Sequence, residues 1–254
     1  MTIAAGILCQ DGMVLCADTE ETITEGRKAQ ASKLRMWQIA YPLDSNCDAH
    51  RDIRITIGLA GAGHSDWIAA FIQGIDHHVV EDVPDDFNVE IFEKRLKEYT
   101  EQFFLKYIRA YAENPDHRPQ AYMLVLAQFP KVRAIYRVHE NLVLKTEDEN
   151  FFLAVGAGAP VFQNLMRLLL GDCPAYRLPW TMDEMVPLVT YVMDKVKSEV
   201  PGCGGNSHIM KIGKDWEHED IPIRRIKELE IQQTDIEREM YRKFAEKLMQ
   251  QARE

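Results

Sequence analysis

The first eighteen residues read as one hairpin, and that hairpin fixes where the chain's chemistry can sit. Residues 2–9 are apolar and rich in branched side chains, Asp11-Gly12 is a turn signal, and residues 13–17 form a second apolar run. Such runs pair as antiparallel strands across a tight turn. The return strand ends at Asp18, so the hairpin brings that carboxylate back toward Thr2. Removal of Met1 would leave Thr2 with a free amine beside its own hydroxyl. In the N-terminal-threonine form of nucleophilic catalysis, that amine is the base. Lys33 follows in Ala31-Ser32-Lys33-Leu34. Placed beside the threonine Oγ and held by Asp18, its positive field would lower the cost of forming the alkoxide.

Each of these residues also has an ordinary role. Asp18 can simply end a strand. Lys33 can be a solvated charge, with Lys28 nearby to compete for the same task. Gly61 and Gly156 can be turn glycines. Cys203 reads as a small inert residue in a tight turn rather than a nucleophile. His77-His78 reads as ordinary surface or packing histidines rather than ligands, and residues 216–220 read as a solvated acidic turn rather than a cation site.

The rest of the chain alternates strand and helix patterns. Strands are expected at 2–10, 13–18, 33–40 and 53–60. Ser65-Asp66 is expected to cap a helix over 66–80. A longer helix is expected to open at 84–86. It carries the stripe Val89, Phe92, Leu96, Tyr99, Phe103, Tyr107 and Tyr111 at helical spacing, and Asn114-Pro115 stops it. Strands at 120–128, 131–138, 141–146 and 151–155 come next. Pro160 falls in the first turn of a helix ending at Gly171. Thr181 and Glu184 form a capping box for a helix over 182–199, with Pro187 inside it. Residues 206–212 read as the closing strand. This order fits two antiparallel sheets flanked by helices, and it fits other α+β layouts too.

Composition sets the remaining limits. With 254 residues, 46% of them apolar, the chain can bury a sizeable core. Its net charge of −10 argues against nucleic acid or an anionic membrane as partner. No window approaches the length of a membrane-spanning helix. The N-terminus has no basic, signal-like segment, so a cytoplasmic location is expected. Cys9, Cys16, Cys47, Cys173 and Cys203 are odd in number and widely spaced, which predicts free thiols and neither a disulfide framework nor a zinc site. No metal and no cofactor are expected.

The register of Thr2, Gly12 and Asp18, with a lysine one strand later, resembles the proteasome β-subunit family. Further stretches agree in order and spacing: residues 18–22 with its D-x-R-x-T segment, Gly58-Leu59-Ala60-Gly61-Ala62-Gly63 with the turn before its first long helix, Gly156-Ala157-Gly158 with its G-S-G turn, and Gly202-Cys203-Gly204-Gly205 with its S-G-G turn. The match covers roughly residues 1–215 and fits the bacterial homologues best, Anbu and the heat-shock-locus peptidase, which also begin Met-Thr. The chain departs from the pattern at Glu20, where an Arg is usual, at Cys203 for a Ser, at Val200 for an Asp, and in an Asp18–Lys33 gap one residue short.

The resemblance implies a four-layer αββα sandwich, the N-terminal-nucleophile (Ntn) hydrolase fold of α+β class, over residues 1–215. A C-terminal helical extension then covers 216–254. It implies a self-compartmentalising threonine peptidase with Thr2 as nucleophile, Asp18 and Lys33 tuning charge, and the Gly61 amide as oxyanion donor. Leu59 would form the base of the primary specificity pocket, and the backbone of Thr22 would pair with an extended peptide. Peptide or unfolded-protein substrates and a homo-oligomeric ring or open ring follow from the same likeness, which also leaves room for an ATPase regulator. The alternatives are an Ntn amidohydrolase acting on a small amide, or a catalytically silent scaffold subunit. Two regions look additional. Residues 41–52 form a long polar loop. The charged tail carries Ile226, Leu229, Ile236, Met240, Phe244 and Leu248 at helical spacing, with Thr234-Asp235-Ile236-Glu237 expected to cap a fresh helix. That stripe needs a surface to pack on, either its own core or a neighbouring subunit.

Overall fold

Side chains along β1 (Ile3–Leu8) alternate between two cores, which makes it an inner strand of a layered molecule. The computed structural model describes residues 2–22, 28–30, 33–42, 52–84, 86–109, 121–146, 151–171, 180–213 and 217–251. β1 pairs with β2 (Gly12–Asp18) as the expected hairpin. β3 (Glu20–Thr22) and β4 (Lys28–Gln30) form a separate short ribbon that the sequence patterns did not signal. There follow β5 (Leu34–Pro42), β6 (Asp52–Gly63), α1 (Ser65–Ile75) and α2 (Val89–Phe103). The next group is β7 (Ala121–Gln128), β8 (Arg133–His139), β9 (Leu142–Lys145) and β10 (Phe152–Gly156). The chain continues through α3 (Ala159–Leu170), α4 (Met182–Glu199), β11 (Ser207–Gly213), β12 (His218–Asp220) and α5 (Ile223–Gln251).

Two five-stranded antiparallel sheets result, in the orders β10-β1-β2-β11-β12 and β5-β6-β7-β8-β9. Ala4, Met13, Leu15 and Ile212 of the first sheet meet Ala60, Leu124, Leu126 and Ile135 of the second. The opposite face of the first sheet, with Ile3, Ile7 and Val14, packs under α3, α4 and the start of α5. The opposite face of the second, with Ile55, Ile57 and Leu59, packs under α1 and α2 against Phe71, Phe92 and Phe103. The four-layer αββα sandwich is therefore the architecture. The sheets approach closely where side chains vanish. A Cβ on Gly6 would stand 2.6 Å from Leu126, and one on Gly58 2.9 Å from Ile212.

The structure shifts several expected boundaries. The long helix opens at Asn88 rather than at 84–86, because the Asn88 side chain accepts from the amides of Glu90 and Ile91 and satisfies the first turn. Ser65 is the first residue of α1, and His64 precedes it without a side-chain cap. The Thr181–Glu184 capping box is present. Asn114-Pro115 and residues 43–51 lie outside the described residues. The tail has no fresh helix at Thr234. α5 runs unbroken, and the Thr234 hydroxyl donates back to the Glu230 carbonyl at 2.9 Å, the habit of a mid-helix threonine.

Candidate active site

Asp18 ends β2 with its side chain wholly buried, and three groups converge on it. The Ile3 amide donates to Oδ1 at 3.3 Å, and the Lys33 ammonium donates to the same oxygen at 3.0 Å. The Gly204 amide donates to Oδ2 at 3.0 Å. The carboxylate thus ties together the residue after Thr2, the start of β5 and the turn before β11. Lys33 is 1% exposed and also donates to the Glu20 carbonyl at 2.5 Å. An ammonium has three N–H donors, so one remains after these two bonds among the described residues. Thr2 is 1% exposed, and its Oγ1 has no hydrogen-bond partner. A hydroxyl buried without a partner costs free energy, and the hydroxyls of Thr56, Thr100 and Ser207 share that state, so position rather than lack of a partner sets Thr2 apart.

The turn before β11 is zipped onto the Asp18 segment. The Glu20 amide donates to the Gly204 carbonyl, Thr19 N–H to the Asn206 carbonyl, and Asn206 N–H to Thr19 Oγ1. A Cβ on Gly204 would fall 2.4 Å from the Glu20 carboxylate, which would have to move aside to admit it. On the other flank Gly156, at a φ of +92°, faces the Thr2 carbonyl so closely that a Cβ would lie 2.2 Å from it. Cys203 is buried beside this cluster, and the Gly158 backbone hydrogen-bonds its thiol. Burial first, and the Asp18 charge second, push its pKa up to about 11, so it stays a neutral thiol. Cys9 and Cys16 are likewise free and buried.

The other site residues suggested by sequence lie as follows. The Gly61 amide donates to the Lys33 carbonyl at 2.9 Å and so serves the sheet in this conformation. Gly63, two residues further along β6, lines a cavity of about 510 Å³ together with Thr2. Leu59 is fully buried in the core beneath α1 and α2 and does not line that cavity. The Thr22 backbone pairs with Lys28 in the β3–β4 ribbon. Met1 lies outside the described residues. Sequence reasoning missed Arg137, His139 and Tyr122, which line the cavity wall. Residues on a half-exposed strand face give no signal of their own, and only sheet stacking brings them to Thr2. Among the described residues no group of His, Cys, Asp and Glu could hold a metal ion. No helix among them is long and apolar enough to cross a membrane.

Two antiparallel sheets between helical layers form an Ntn-like sandwich. Among solved structures the chain is similar in fold to the proteasome-like Anbu proteins. An Anbu (Gly-1) mutant from Hyphomicrobium sp. strain MC1 superposes with a TM-score of 0.70 at 14% identity, over 96% of this chain and 97% of that one. Anbu, the ancestral β-subunit, from Yersinia bercovieri gives 0.71 at 10% identity, over 96% and 97%. The Anbu complex from Pseudomonas aeruginosa, solved as a helical assembly, gives 0.68 at 12%, over 95% and 96%. Identities this low speak for the fold. No protein-family model and no curated protein matches the chain.

Proposed function

We propose that the protein is a threonine-type Ntn hydrolase that cleaves peptide bonds through Thr2 once Met1 is removed. The observation that carries this reading is the buried Thr2 hydroxyl, unpartnered, one residue from the amide that binds Asp18 Oδ1. Thr2 Oγ attacks the substrate carbonyl while the freed α-amine, directly or through a water, takes its proton. The Lys33 ammonium, fixed by Asp18 and the Glu20 carbonyl, offers its third N–H and its field to the developing alkoxide. The tetrahedral oxyanion needs a backbone donor at the end of β6. Gly61 fills that role only by giving up or sharing its bond to the Lys33 carbonyl. Gly63 is the alternative, because it already borders the cavity with Thr2. As the intermediate collapses, the protonated α-amine returns its proton to the leaving nitrogen, and the acyl ester left on Thr2 is hydrolysed by a water whose proton the same amine takes.

Ile236 and Met240, on the outer half of α5, are 58% and 65% exposed, while Ile226 and Leu229 on its inner half are buried. The exposed half suits a contact with further copies of the chain, consistent with assembly in the Anbu complex, and we propose a homo-oligomer of six or more subunits in the cytoplasm. Enclosure would keep the site from folded proteins. The direct test is intact mass after treatment with a threonine-directed covalent probe, alongside turnover of fluorogenic peptides. One probe adduct on a chain lacking Met1, lost in Thr2→Ala, is the expected result. Unchanged turnover in Thr2→Ala rules the mechanism out.

A further inference from the structure

The cavity beside Thr2 carries a charge that the proposed hydrolysis does not use. Its wall includes Arg137 of β8. Among the described residues Arg137 enters no ion pair, and no Asp or Glu lines the cavity. In a chain with 40 acidic residues against 30 basic ones, a lone arginine in an acid-free cavity stands against the background. A second positive feature faces the same space. Ala159 and Pro160 open α3, so the positive end of a twelve-residue helix borders the cavity. Gly158, at its N-cap, brings no side chain to satisfy the first turn. The rest of the wall supplies shape. Tyr122 and His139 face each other across β7 and β8 and stack with ring centres 4.4 Å apart, and Leu142 and Leu144 give an apolar rim. Thr2 itself lines this same cavity, with its hydroxyl buried just behind the wall.

We propose that this cavity is a substrate subsite for a carboxylate, bound by the Arg137 guanidinium and the N-terminal turn of α3, which makes Arg137 a specificity-determining residue. The proposal rests on Thr2 being the reacting group, and it gives that reaction a substrate class: peptides or amides with a carboxylate near the cleaved bond. Arginine presents a planar fork of donors that matches a carboxylate, which a neutral amide cannot exploit equally. The carboxylate has two sources, an acidic side chain or a free C-terminus. The apolar pocket base that the family likeness suggests points elsewhere, since Leu59 is packed inside the core.

The test uses the full chain carrying Thr2→Ala, so that peptides bind without turnover. Two peptide pairs are titrated by fluorescence anisotropy: Glu against Gln at the positions flanking the cleaved bond, and a free C-terminus against its amide. At least one carboxylate form is expected to bind about tenfold or more tightly than its neutral counterpart. The preference should shrink as salt is raised, because Arg137 is exposed, and it should vanish in Thr2→Ala/Arg137→Gln. The pair that shows the preference identifies the source of the carboxylate. Equal affinities in both pairs, no binding by any peptide, or a preference that survives Arg137→Gln would overturn the proposal. These readouts stand apart from catalysis: the hydrolase reading fails on unchanged turnover in Thr2→Ala, whatever the binding shows.

Discussion

The corner around Thr2 and the helix α5 at the far end of the chain treat charge in opposite ways. At the corner one lysine and one aspartate are sealed from water and bonded to each other and to backbone groups from three segments. Along α5 pairs such as Arg224–Glu228, Arg238–Asp235 and Lys243–Glu239 lie at the surface. Exposed pairs of that kind contribute about 0–1 kcal/mol each and keep a helix soluble. A buried pair must first offset the cost of removing both charges from water, and apolar residues of similar volume would often serve stability as well. The sealed pair therefore asks for a reason other than stability, and under the proposed function that reason is its field at Thr2. Partly buried bridges join the two regimes where α5 meets α4: Lys195 with Glu237 and Lys197 with Glu230.

The largest expected effect tests the corner directly. Thr2→Ala should abolish hydrolysis and leave the fold and assembly unchanged, as read by peptide turnover, circular dichroism and light scattering. Retained turnover would break the contrast at its root. Next, Lys33→Ala and Asp18→Ala should each cost about 3–5 kcal/mol, because either change strands a buried charge. Urea unfolding midpoints measure this, and a loss below about 1 kcal/mol would mean that water reaches the pair.

Within α5 the two halves should separate. Leu229→Ala on the buried half should cost about 2–4 kcal/mol in unfolding free energy. Ile236→Ser on the exposed half should change subunit stability by less than about 0.5 kcal/mol yet lower the mass seen by light scattering. An unaltered oligomer in Ile236→Ser would remove the outer half from the contact.

The smallest expected effect is a pH dependence at the α4–α5 seam. Burial alone would raise the Glu237 pKa, but hydrogen bonds from Lys195 and Tyr191 outweigh it and hold the carboxylate below its ordinary value. A depressed carboxylate contributes stability above its unfolded pKa and loses it as pH falls through the folded one. The melting temperature of wild type should thus exceed that of Glu237→Gln at neutral pH, and the gap should close on acidification. A gap that stays constant to strong acid would show that the seam owes nothing to this charge.

Local signals were legible where local physics is strong. The β1–β2 hairpin follows from apolar runs around Asp11-Gly12, and the start of α4 from Thr181 and Glu184, because each is decided within a few residues of chain. The layered α+β order was legible too, but the choice among its layouts came from the family likeness and from the packing of the sheets. Thr234 carried a valid cap signal that lost. Ile226 and Leu229 dock the helix on the core before Thr234 is reached, and a helix already begun propagates at low cost. Asn88 took the cap of α2 because its side chain reaches two first-turn amides.

By itself the sequence singled out the residues proposed to react, through the order Thr2, Asp18, Lys33 and the hairpin that joins the first two. Only the tertiary structure decided what surrounds them. It sealed Asp18 with the Gly204 amide, bonded the Gly61 amide to the Lys33 carbonyl, buried Leu59 under α1 and α2, and set Arg137 on the wall of the cavity beside Thr2. The physical reason is that strand pairing and helix caps are written in neighbouring residues. Which face of one sheet meets another is settled by the burial of whole layers, to which no short stretch of chain holds the key.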